Sequence, residues 1–256
     1  MSGIRMIVTD LDGTLLRSDR TLSAHTVEVL RRCRARGIKT AVATARSAQA
    51  AEKFLAQCAP DAFIGYGGAL VKSGGHILHR FEIPAERSDE LTAACLALPD
   101  TSAVYASHET FAYTNDRAYT LLSDSAHYQA CDFSPPLRLA CLKISLINKN
   151  PASVAALAER FPELDMLRYS GENLYRFAHR KALKWDALAF LASHYGIAPA
   201  DIAAFGDDVN DLGMLRGCGV GVAVANAIDE VKAAADQICG ANDDDGVAKW
   251  IEENVL

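Results

Sequence analysis

The sequence lacks the long apolar run that a membrane-spanning helix needs. No hydrophobic stretch in its 256 residues approaches the roughly 20 residues that cross a bilayer, and the first residues do not show the pattern of a signal peptide. Basic residues are not in excess either, because the formal net charge is -6 at pH 7, which gives no electrostatic basis for binding nucleic acid. We therefore expect neither a membrane nor a nucleic acid among its partners.

Cysteine is sparse and follows no pairing pattern. The chain has 7 cysteines, which are scattered and include no Cys-x-x-Cys pair. This distribution is typical neither of a disulfide framework nor of a zinc site. Scattered thiols are common in reducing compartments, so the sequence predicts a cytoplasmic protein.

The chain does contain enough apolar material for a substantial core. Hydrophobic residues make up 50% of it, and a chain of this length forms one large domain or two modest ones. It shows no internal repeat, low-complexity tract or linker. The division into domains therefore has to be taken from the order of the predicted elements.

Both ends of the chain alternate strands and helices. The N-terminal part predicts a strand ending before Asp10, a helix over 21–36, a strand over 38–43, a helix over 47–58 and a strand over 62–64. From Lys184 onward the pattern predicts a helix over 185–195, strands over 202–205 and 220–225, and helices over 229–239 and 247–253. Such alternation predicts a parallel sheet with right-handed crossovers.

The middle of the chain has a different order of elements. After a hairpin over 69–81, the pattern predicts helices over 88–98 and 152–161 and strands over 102–106, 110–114, 139–147, 165–169 and 173–177, while 116–136 has no clear pattern. This order is typical of an α+β module. We therefore predict an α/β fold: a Rossmann-like parallel-sheet core of residues 1–82 and 183–256, with an α+β domain of residues 83–182 inserted in it.

Polar side chains follow three of the predicted core strands. They are Asp10 and Asp12 after the first strand, Thr44 and Arg46 after the second, and Asp207, Asp208, Asn210 and Asp211 after a later one; Lys184 begins the returning core segment. Because ligands bind at the carboxyl ends of the strands in an open α/β sheet, we expect these groups to share one crevice.

Each group taken alone has an ordinary structural explanation. Asp10 and Asp12 can cap a turn, Thr44 can begin a helix, and Lys184 can be a solvated lysine at a helix start. Four such groups at the same end of one sheet are much harder to explain in this way. A further acidic run, residues 243–245, is expected to form a solvated loop.

The chemistry of the crevice follows from its residue types. Carboxylates packed together repel one another unless a cation lies among them, and an all-oxygen set of ligands suits Mg²⁺. A crevice that also holds a lysine, a hydroxyl and an amide suits a phosphoryl group, whose charge the cations neutralise. One aspartate is then available to attack phosphorus and form an aspartyl-phosphate.

These residues resemble, in order, the four motifs of the haloacid dehalogenase (HAD) superfamily of phosphotransferases. The matches are 10–15 (DLDGTL), Thr44, Lys184 and 206–211 (GDDVND). The inserted module falls between the second and third motifs and resembles the type C2 cap. The stretch 219–248 is similar to the Cof-type branch, subfamily IIB, of magnesium-dependent sugar-phosphate phosphatases. The resemblance covers the whole chain.

The resemblance implies a role for each matched residue. Asp10 would be the nucleophile, and Asp12 would protonate the leaving alcohol and then activate water. Mg²⁺ would be bound by Asp10, the backbone carbonyl of Asp12, and Asp207, with Asp211 bracing or completing that set. Thr44 and Lys184 would bind phosphoryl oxygens. Asn210 would bind the phosphate or its surroundings, and Arg46 would contact substrate.

The chain departs from the motifs at three positions. Ala45 replaces the usual glycine after the motif threonine, and Gly67 stands where asparagine is common, which puts substrate contacts in question. Trp185 follows the motif lysine where glycine is usual, and Lys181 lies one turn before it. Lys181 is therefore an alternative to Lys184 as the phosphate-binding lysine.

The expected function is that of a cytoplasmic, Mg²⁺-dependent phosphatase of small phosphate monoesters. Sugar phosphates are the first expectation, and flavin, pyridoxal and phosphoglycerate-type esters are alternatives. A phosphomutase would use the same pair of aspartates but return the phosphoryl group to a sugar. A sensor that binds phosphate esters without turnover is the alternative outside the enzymes.

Overall fold

The computed structural model describes residues 3–122 and 127–256, and these divide into two compact units. The first unit contains the described residues up to Ala45, together with Ala51–His79 and Leu183–Leu256. The second contains Arg46–Ala50 and the described part of Arg80–Ala182. That the inserted part selects the substrate stays a prediction.

The first unit is built on an eight-stranded sheet in the order β14-β13-β12-β1-β2-β3-β4-β5. Its strands are β1 (Met6–Thr9), β2 (Lys39–Ala43), β3 (Ala62–Gly65), β4 (Leu70–Ser73), β5 (His76–Arg80), β12 (Ile202–Gly206), β13 (Val220–Ala223) and β14 (Gln237–Ile238). From β14 to β3 the strands are parallel, and β4 is antiparallel to β3. The central strand β1 is completely buried, as expected for a parallel sheet covered on both faces.

Helices flank this sheet, and their ends follow local capping rules. They are α1 (Ala24–Ala35), α2 (Ala48–Cys58), α5 (Lys184–Tyr195), α6 (Leu212–Gly217), α7 (Asp229–Ala234) and α8 (Gly246–Asn254). The side chain of Ser23 accepts a hydrogen bond from the Thr26 amide and so caps α1. Gly196 ends α5 with a positive φ of 63°, a conformation that glycine adopts without strain. The predicted α/β fold is thereby confirmed.

The second unit is built on a six-stranded sheet in the order β10-β11-β9-β6-β7-β8. Its strands and helices are β6 (Thr101–Ser107), β7 (Ala112–Thr114), β8 (Tyr128–Ala130), β9 (Lys143–Asn148), β10 (Leu164–Arg168), β11 (Leu174–His179), α3 (Ala85–Ala97) and α4 (Pro151–Glu159). Its strands are antiparallel except for β7 and β8. Leu91 of α3, Val154 of α4 and Leu146 of β9 belong to one hydrophobic core.

The predicted helix over 229–239 is wrong in its second half. The helix ends at Ala234, and Gln237–Ile238 forms the edge strand β14 beside β13. The Asp236 amide donates to the Gly221 carbonyl at 2.9 Å, and the Asp236 carboxylate accepts from the Gly221 amide at 2.8 Å. These contacts with the neighbouring strand replace the hydrogen bonds of a further helical turn.

The segment 116–136 contains little regular structure in its described part. It forms a short turn, Tyr119–Leu121, and the three-residue strand β8, while residues 123–126 lie outside the described residues. The predicted strand over 139–147 begins only at Lys143. Within the described ranges, none of the helices combines the length and the apolar character that spanning a bilayer takes.

Truncating Leu146 tests the core of the second unit. Leu146 is completely buried, so Leu146→Ala should lower the free energy of unfolding by about 2–5 kcal/mol through lost burial and a residual cavity. Leu121→Ala is the control, because Leu121 is 86% exposed and its truncation should cost less than about 0.5 kcal/mol. Urea unfolding followed by circular dichroism measures both, and equal effects would contradict this core.

Candidate active site

The candidate site lies where β12, β1 and β2 end side by side. Asp10 directly follows β1, and its amide donates to the Phe205 carbonyl of β12 at 3.0 Å. Asp207 follows β12, and Thr44 follows β2. The strands of the two chain segments meet where β12 pairs with β1, and the carboxyl ends of strands at such a point are where ligands bind in open α/β folds.

A tight turn over Leu11–Leu15 carries the chain away from Asp10. Gly13 has a φ of 77°, and a Cβ at this position would lie 2.4 Å from Asp207 Oδ2. Only glycine therefore fits between the turn and that carboxylate. Thr14 Oγ1 donates to Asp207 Oδ1 at 2.6 Å, which fixes the orientation of the Asp207 side chain.

Lys184 connects two of the buried aspartates. It begins α5 and is 2% exposed, and its Nζ donates to Asp10 Oδ1 at 2.5 Å and to Asp211 Oδ1 at 2.7 Å. The alternative lysine, Lys181, is exposed and belongs to the second unit. Lys184 is thus the lysine in contact with these aspartates.

Asp211 is held from its other oxygen by the backbone. The amides of Asp207 and Asp208 donate to Asp211 Oδ2 at 3.1 Å and 3.2 Å. A Cβ on Gly206 would lie 2.4 Å from the Asp211 Cβ, so the close approach depends on glycine at the end of β12. Asp211 is fully buried, and its carboxylate accepts hydrogen bonds from the Lys184 ammonium and from both of these amides.

The site is rich in negative charge. Burial raises the pKa of Asp10 well above its ordinary value; Lys184 opposes this rise, and Asp211 and Asp207 add to it. Burial and the repulsion of Asp211 raise the pKa of Asp207 to about 7. For Lys184, burial acts to lower the pKa, but Asp10 and Asp211 reverse the direction and raise it. One lysine therefore does not neutralise the three carboxylates.

Asp10, Asp207 and Asp211 form a set of oxygens that fits a divalent cation. One carboxylate oxygen from each lies within 4.8 Å of the others, and oxygen-only ligands match the preference of Mg²⁺. The excess negative charge in a buried place supports the same interpretation. The Asp12 carboxylate is not part of this set, because Asp12 is exposed on the turn. The family resemblance implies metal binding only through the backbone carbonyl of Asp12.

Thr44 and Asn210 lie at the same end of the first unit. Thr44 is 1% exposed, and its backbone bonds to the Ile64 carbonyl and the Gly67 amide at 2.8 Å and 2.9 Å. Asn210 Oδ1 is buried without a hydrogen-bond partner among the described residues. A buried amide oxygen without a partner costs about 1–3 kcal/mol, so a hydrogen-bond donor, from water or from a bound group, is expected beside it.

Glycine at position 68 has a packing role next to Lys184. Its φ is 112°, and a Cβ there would lie 2.3 Å from the backbone carbon of Leu183. Gly68 thus allows the turn after β3 to approach Leu183, the residue that precedes Lys184. The Gly67 departure from the family motif lies in this turn.

Arg46 belongs to the second unit, whereas the other predicted site residues belong to the first. Its Nη1 donates to the Ala50 carbonyl at 3.2 Å. A contact with substrate stays a prediction.

Two asparagines that the sequence analysis assigned no role hold the turn after Asp10. Asn226 Nδ2 donates to the Gly13 carbonyl at 2.7 Å, and Asn226 Oδ1 accepts from the Asn242 amide at 2.9 Å. Asn242 Nδ2 donates to the Leu16 carbonyl at 2.9 Å. Gly13 and Leu16 lie more than 200 residues from the asparagines that bind their carbonyls, so no local sequence signal identifies these contacts.

The expectation of a solvated loop over 243–245 is wrong for Asp245. Arg17 donates from Nε and Nη2 to the two oxygens of Asp245 at 3.2 Å and 2.7 Å. Asp243 accepts from both the amide and the hydroxyl of Ser18. The acidic loop therefore binds Arg17 and Ser18, which lie just beyond the turn. Beside it is a cavity of about 400 Å³ that Asp12 and Asn242 help to line.

Removing the ammonium of Lys184 tests the charge balance of the site. Lys184→Met should lower the free energy of unfolding at pH 7, without added metal, by about 3–5 kcal/mol, because Asp10 and Asp211 stay buried without their cation. Lys181→Met removes an exposed ammonium and should cost less than about 0.5 kcal/mol. Urea unfolding measures both variants; a similar loss in the two would show that the buried ion pairs do not contribute to stability as described.

Known proteins are similar to this chain over nearly its whole length. The family model for haloacid dehalogenase-like hydrolases matches residues 7–251. A Haemophilus influenzae protein named as a candidate phosphatase is 29% identical, with 97% of each chain covered. The Bacillus subtilis 5-amino-6-(5-phospho-D-ribitylamino)uracil phosphatase YitU is 27% identical, with 97% of this chain and 96% of the relative covered.

A solved structure shows the same fold. The HAD subclass IIB sugar phosphatase BT4131 superposes with a TM-score of 0.85 at 22% identity, covering 97% of this chain and 98% of its own. The family predicted from the four motifs is confirmed by the family model, and the fold by this likeness. The chain belongs to the haloacid dehalogenase-like hydrolase family and is an enzyme of its phosphatase type.

Proposed function

We propose that this protein is a Mg²⁺-dependent phosphatase that hydrolyses small phosphate monoesters through an aspartyl-phosphate at Asp10. The observation that carries the proposal is the buried contact of Lys184 with both Asp10 and Asp211, 2.5 Å and 2.7 Å away, beside Asp207. A cation held among carboxylates at the carboxyl ends of parallel strands is suited to receive a phosphoryl group.

Asp10 acts as the nucleophile in the first step. Its carboxylate oxygen attacks phosphorus, and the bond between phosphorus and the ester oxygen breaks as the new P–O bond forms. Lys184, with Thr44, binds phosphoryl oxygens and stabilises the charge that they carry in the transition state. The contact with Lys184 also orients the Asp10 carboxylate before substrate arrives.

Asp12 moves the protons. As the carboxylic acid, it gives its proton to the departing alkoxide oxygen, and the alcohol leaves neutral. As the resulting carboxylate, it takes a proton from a water molecule, whose oxygen attacks phosphorus and releases inorganic phosphate from Asp10. The exposed place of Asp12 on the turn suits a group that must exchange protons with water and alcohol.

Mg²⁺ would be held by Asp10, Asp207 and the backbone carbonyl of Asp12, with Asp211 completing or bracing the set. When bound, the ion neutralises charge on the transferring phosphoryl group. Hydrogen bonds orient two of these carboxylates: Thr14 orients Asp207, and the amides of Asp207 and Asp208 orient Asp211.

Phosphorylated sugars and related polyols are the proposed substrates. Two of the similar proteins support this class, since BT4131 is a sugar phosphatase by name and YitU acts on a phosphorylated ribitylamino compound. The leaving group is expected to be selected by the second unit, because the residues that perform the chemistry belong to the first.

Replacing the nucleophile tests the mechanism. Asp10→Asn should lower kcat by at least about 10³-fold on every ester, because the amide cannot attack phosphorus. Asp229→Asn, which changes an exposed aspartate of the same unit, is the matched control and should keep full activity. Phosphate release from a panel of phosphorylated metabolites measures both, and retained activity in Asp10→Asn would overturn the assignment.

Metal removal and pH test the carboxylate set. Chelation should stop hydrolysis, and added Mg²⁺ should restore it. Protons on Asp207, whose pKa is raised to about 7, compete with the metal at lower pH, so the Mg²⁺ concentration for half-maximal activity should fall about tenfold between pH 6 and pH 8. Activity unaffected by chelation would exclude the metal role, and a requirement that rises with pH would contradict the role of Asp207.

A further inference from the structure

The turn that carries Asp12 has a soft point beside that residue. Asp12 has φ -77° and ψ 123°, and Gly13 has φ 77° and ψ -8°, which are the backbone angles of a type II turn. Glycine is required at position 13 because a Cβ there would collide with Asp207. Glycine also leaves the backbone free to adopt other angles, so the position of Asp12 needs support from outside the turn.

Asn226 provides this support at Gly13. Its Nδ2 donates to the Gly13 carbonyl at 2.7 Å, and its Oδ1 accepts from the Asn242 amide at 2.9 Å. Because a backbone amide can only donate, the second contact fixes which end of the Asn226 side chain faces Gly13. The donor is thus held against the carbonyl of the residue that follows Asp12.

The segment that carries Asn226 is tied to the candidate metal site. The Ile228 amide, two residues further along, donates to the Asp207 carbonyl at 3.1 Å. Asn226 therefore has a fixed place relative to the strand end at Asp207. Through its bond to Gly13, it sets the turn of Asp12 relative to the same strand end.

The other end of the turn is anchored in the interior. Asn242 Nδ2 donates to the Leu16 carbonyl at 2.9 Å, and the Leu16 amide donates to the Leu11 carbonyl at 2.8 Å. Asn242 and Leu16 are both buried, whereas Asn226 is exposed. Asn226 can therefore be replaced without opening the core, and its bond to Gly13 can be tested by itself.

The cavity of about 400 Å³ borders the turn on this side. Asp12, Gly13 and Asn226 are among the residues that line it. A backbone beside open space has fewer packing contacts to fix it than one in a close-packed interior. The hydrogen bond from Asn226 therefore has a large share in holding this part of the turn.

We propose that Asn226 is a positioning residue for the acid–base function of Asp12. By holding the Gly13 carbonyl, it keeps the Asp12 carboxyl group within reach of the departing ester oxygen in the first step and of the attacking water in the second. A displacement of about 1 Å can lower a rate by about 10²-fold. The inference rests on the proposed phosphatase function and deepens it.

Single-turnover reactions of two esters test this role. p-Nitrophenolate is a stable anion that leaves without a proton, whereas the alkoxide of a hexose has to be protonated as it leaves. With enzyme in excess, release of p-nitrophenolate from p-nitrophenyl phosphate and of hexose from a hexose 6-phosphate measures the first step alone. Asn226→Ala should lower the maximal rate on the hexose ester by about 10- to 100-fold and on the aryl ester by less than about threefold. The enzyme concentration that gives half of the maximal rate should change by less than about threefold for both esters, because binding is not altered.

Two further variants control the result. Asn226→Asp keeps the oxygen that accepts from the Asn242 amide and replaces only the donor, so it should show the same dependence on the ester. Asn254 Nδ2 donates to the Trp250 carbonyl within α8 at 2.9 Å, and Asn254→Asp should change neither rate. A loss in Asn226→Asp without one in Asn226→Ala would be an effect of the added charge and would overturn the inference.

The two esters also separate failure of this inference from failure of the proposed function. Circular dichroism verifies that the Asn226 variants are folded, as expected for an exposed position. Equal losses on both esters, or no loss on either, would overturn the positioning role while wild-type hydrolysis leaves the phosphatase function standing. A wild-type protein that releases phosphate from neither ester nor from any other of the metabolite panel would overturn the proposed function and this inference with it.

Discussion

The buried contact of Lys184 with Asp10 and Asp211 is the interaction on which the first unit depends. Two carboxylates at the ends of neighbouring strands would repel one another in a place with little water, and a helix that begins with a lysine between them makes the arrangement possible. The same lysine leaves the site with surplus negative charge. Buried carboxylates with strongly raised pKa values cluster at functional sites, which supports a functional role for this surplus charge.

The support around this contact comes from residues that make no contact with substrate in the proposed mechanism. Gly13 and Gly206 give two carboxylates room that any side chain would fill. Thr14 and two backbone amides fix the orientation of Asp207 and Asp211. Preorganisation of this kind lets charged groups act on a phosphoryl group without first reorganising. The site is therefore as much a property of its turns as of its aspartates.

Much of the fold and most of the residues in the site were predictable from the sequence, because short-range patterns encode them. Apolar runs that end at Asp10, Thr44 and Asp207 mark strand ends, and strand ends of a parallel sheet meet at one edge. The edge strand Gln237–Ile238 was mistaken for helix, because its partner Gly221 lies outside any local window. The contacts of Asn226 and Asn242 are not predictable for the same reason, because Gly13 and Leu16 lie more than 200 residues away from them.

The long separation between partners in the site has a consequence for synthesis on the ribosome. Lys184 is synthesised 174 positions after Asp10, and Asn242 is synthesised 226 positions after Leu16, whose carbonyl it binds. A nascent chain that already contains Asp10 thus lacks the groups that keep its carboxylate in place. The candidate site and its turn can be completed only when the chain as far as Asn242 has left the exit tunnel, so shorter nascent chains carry no assembled site.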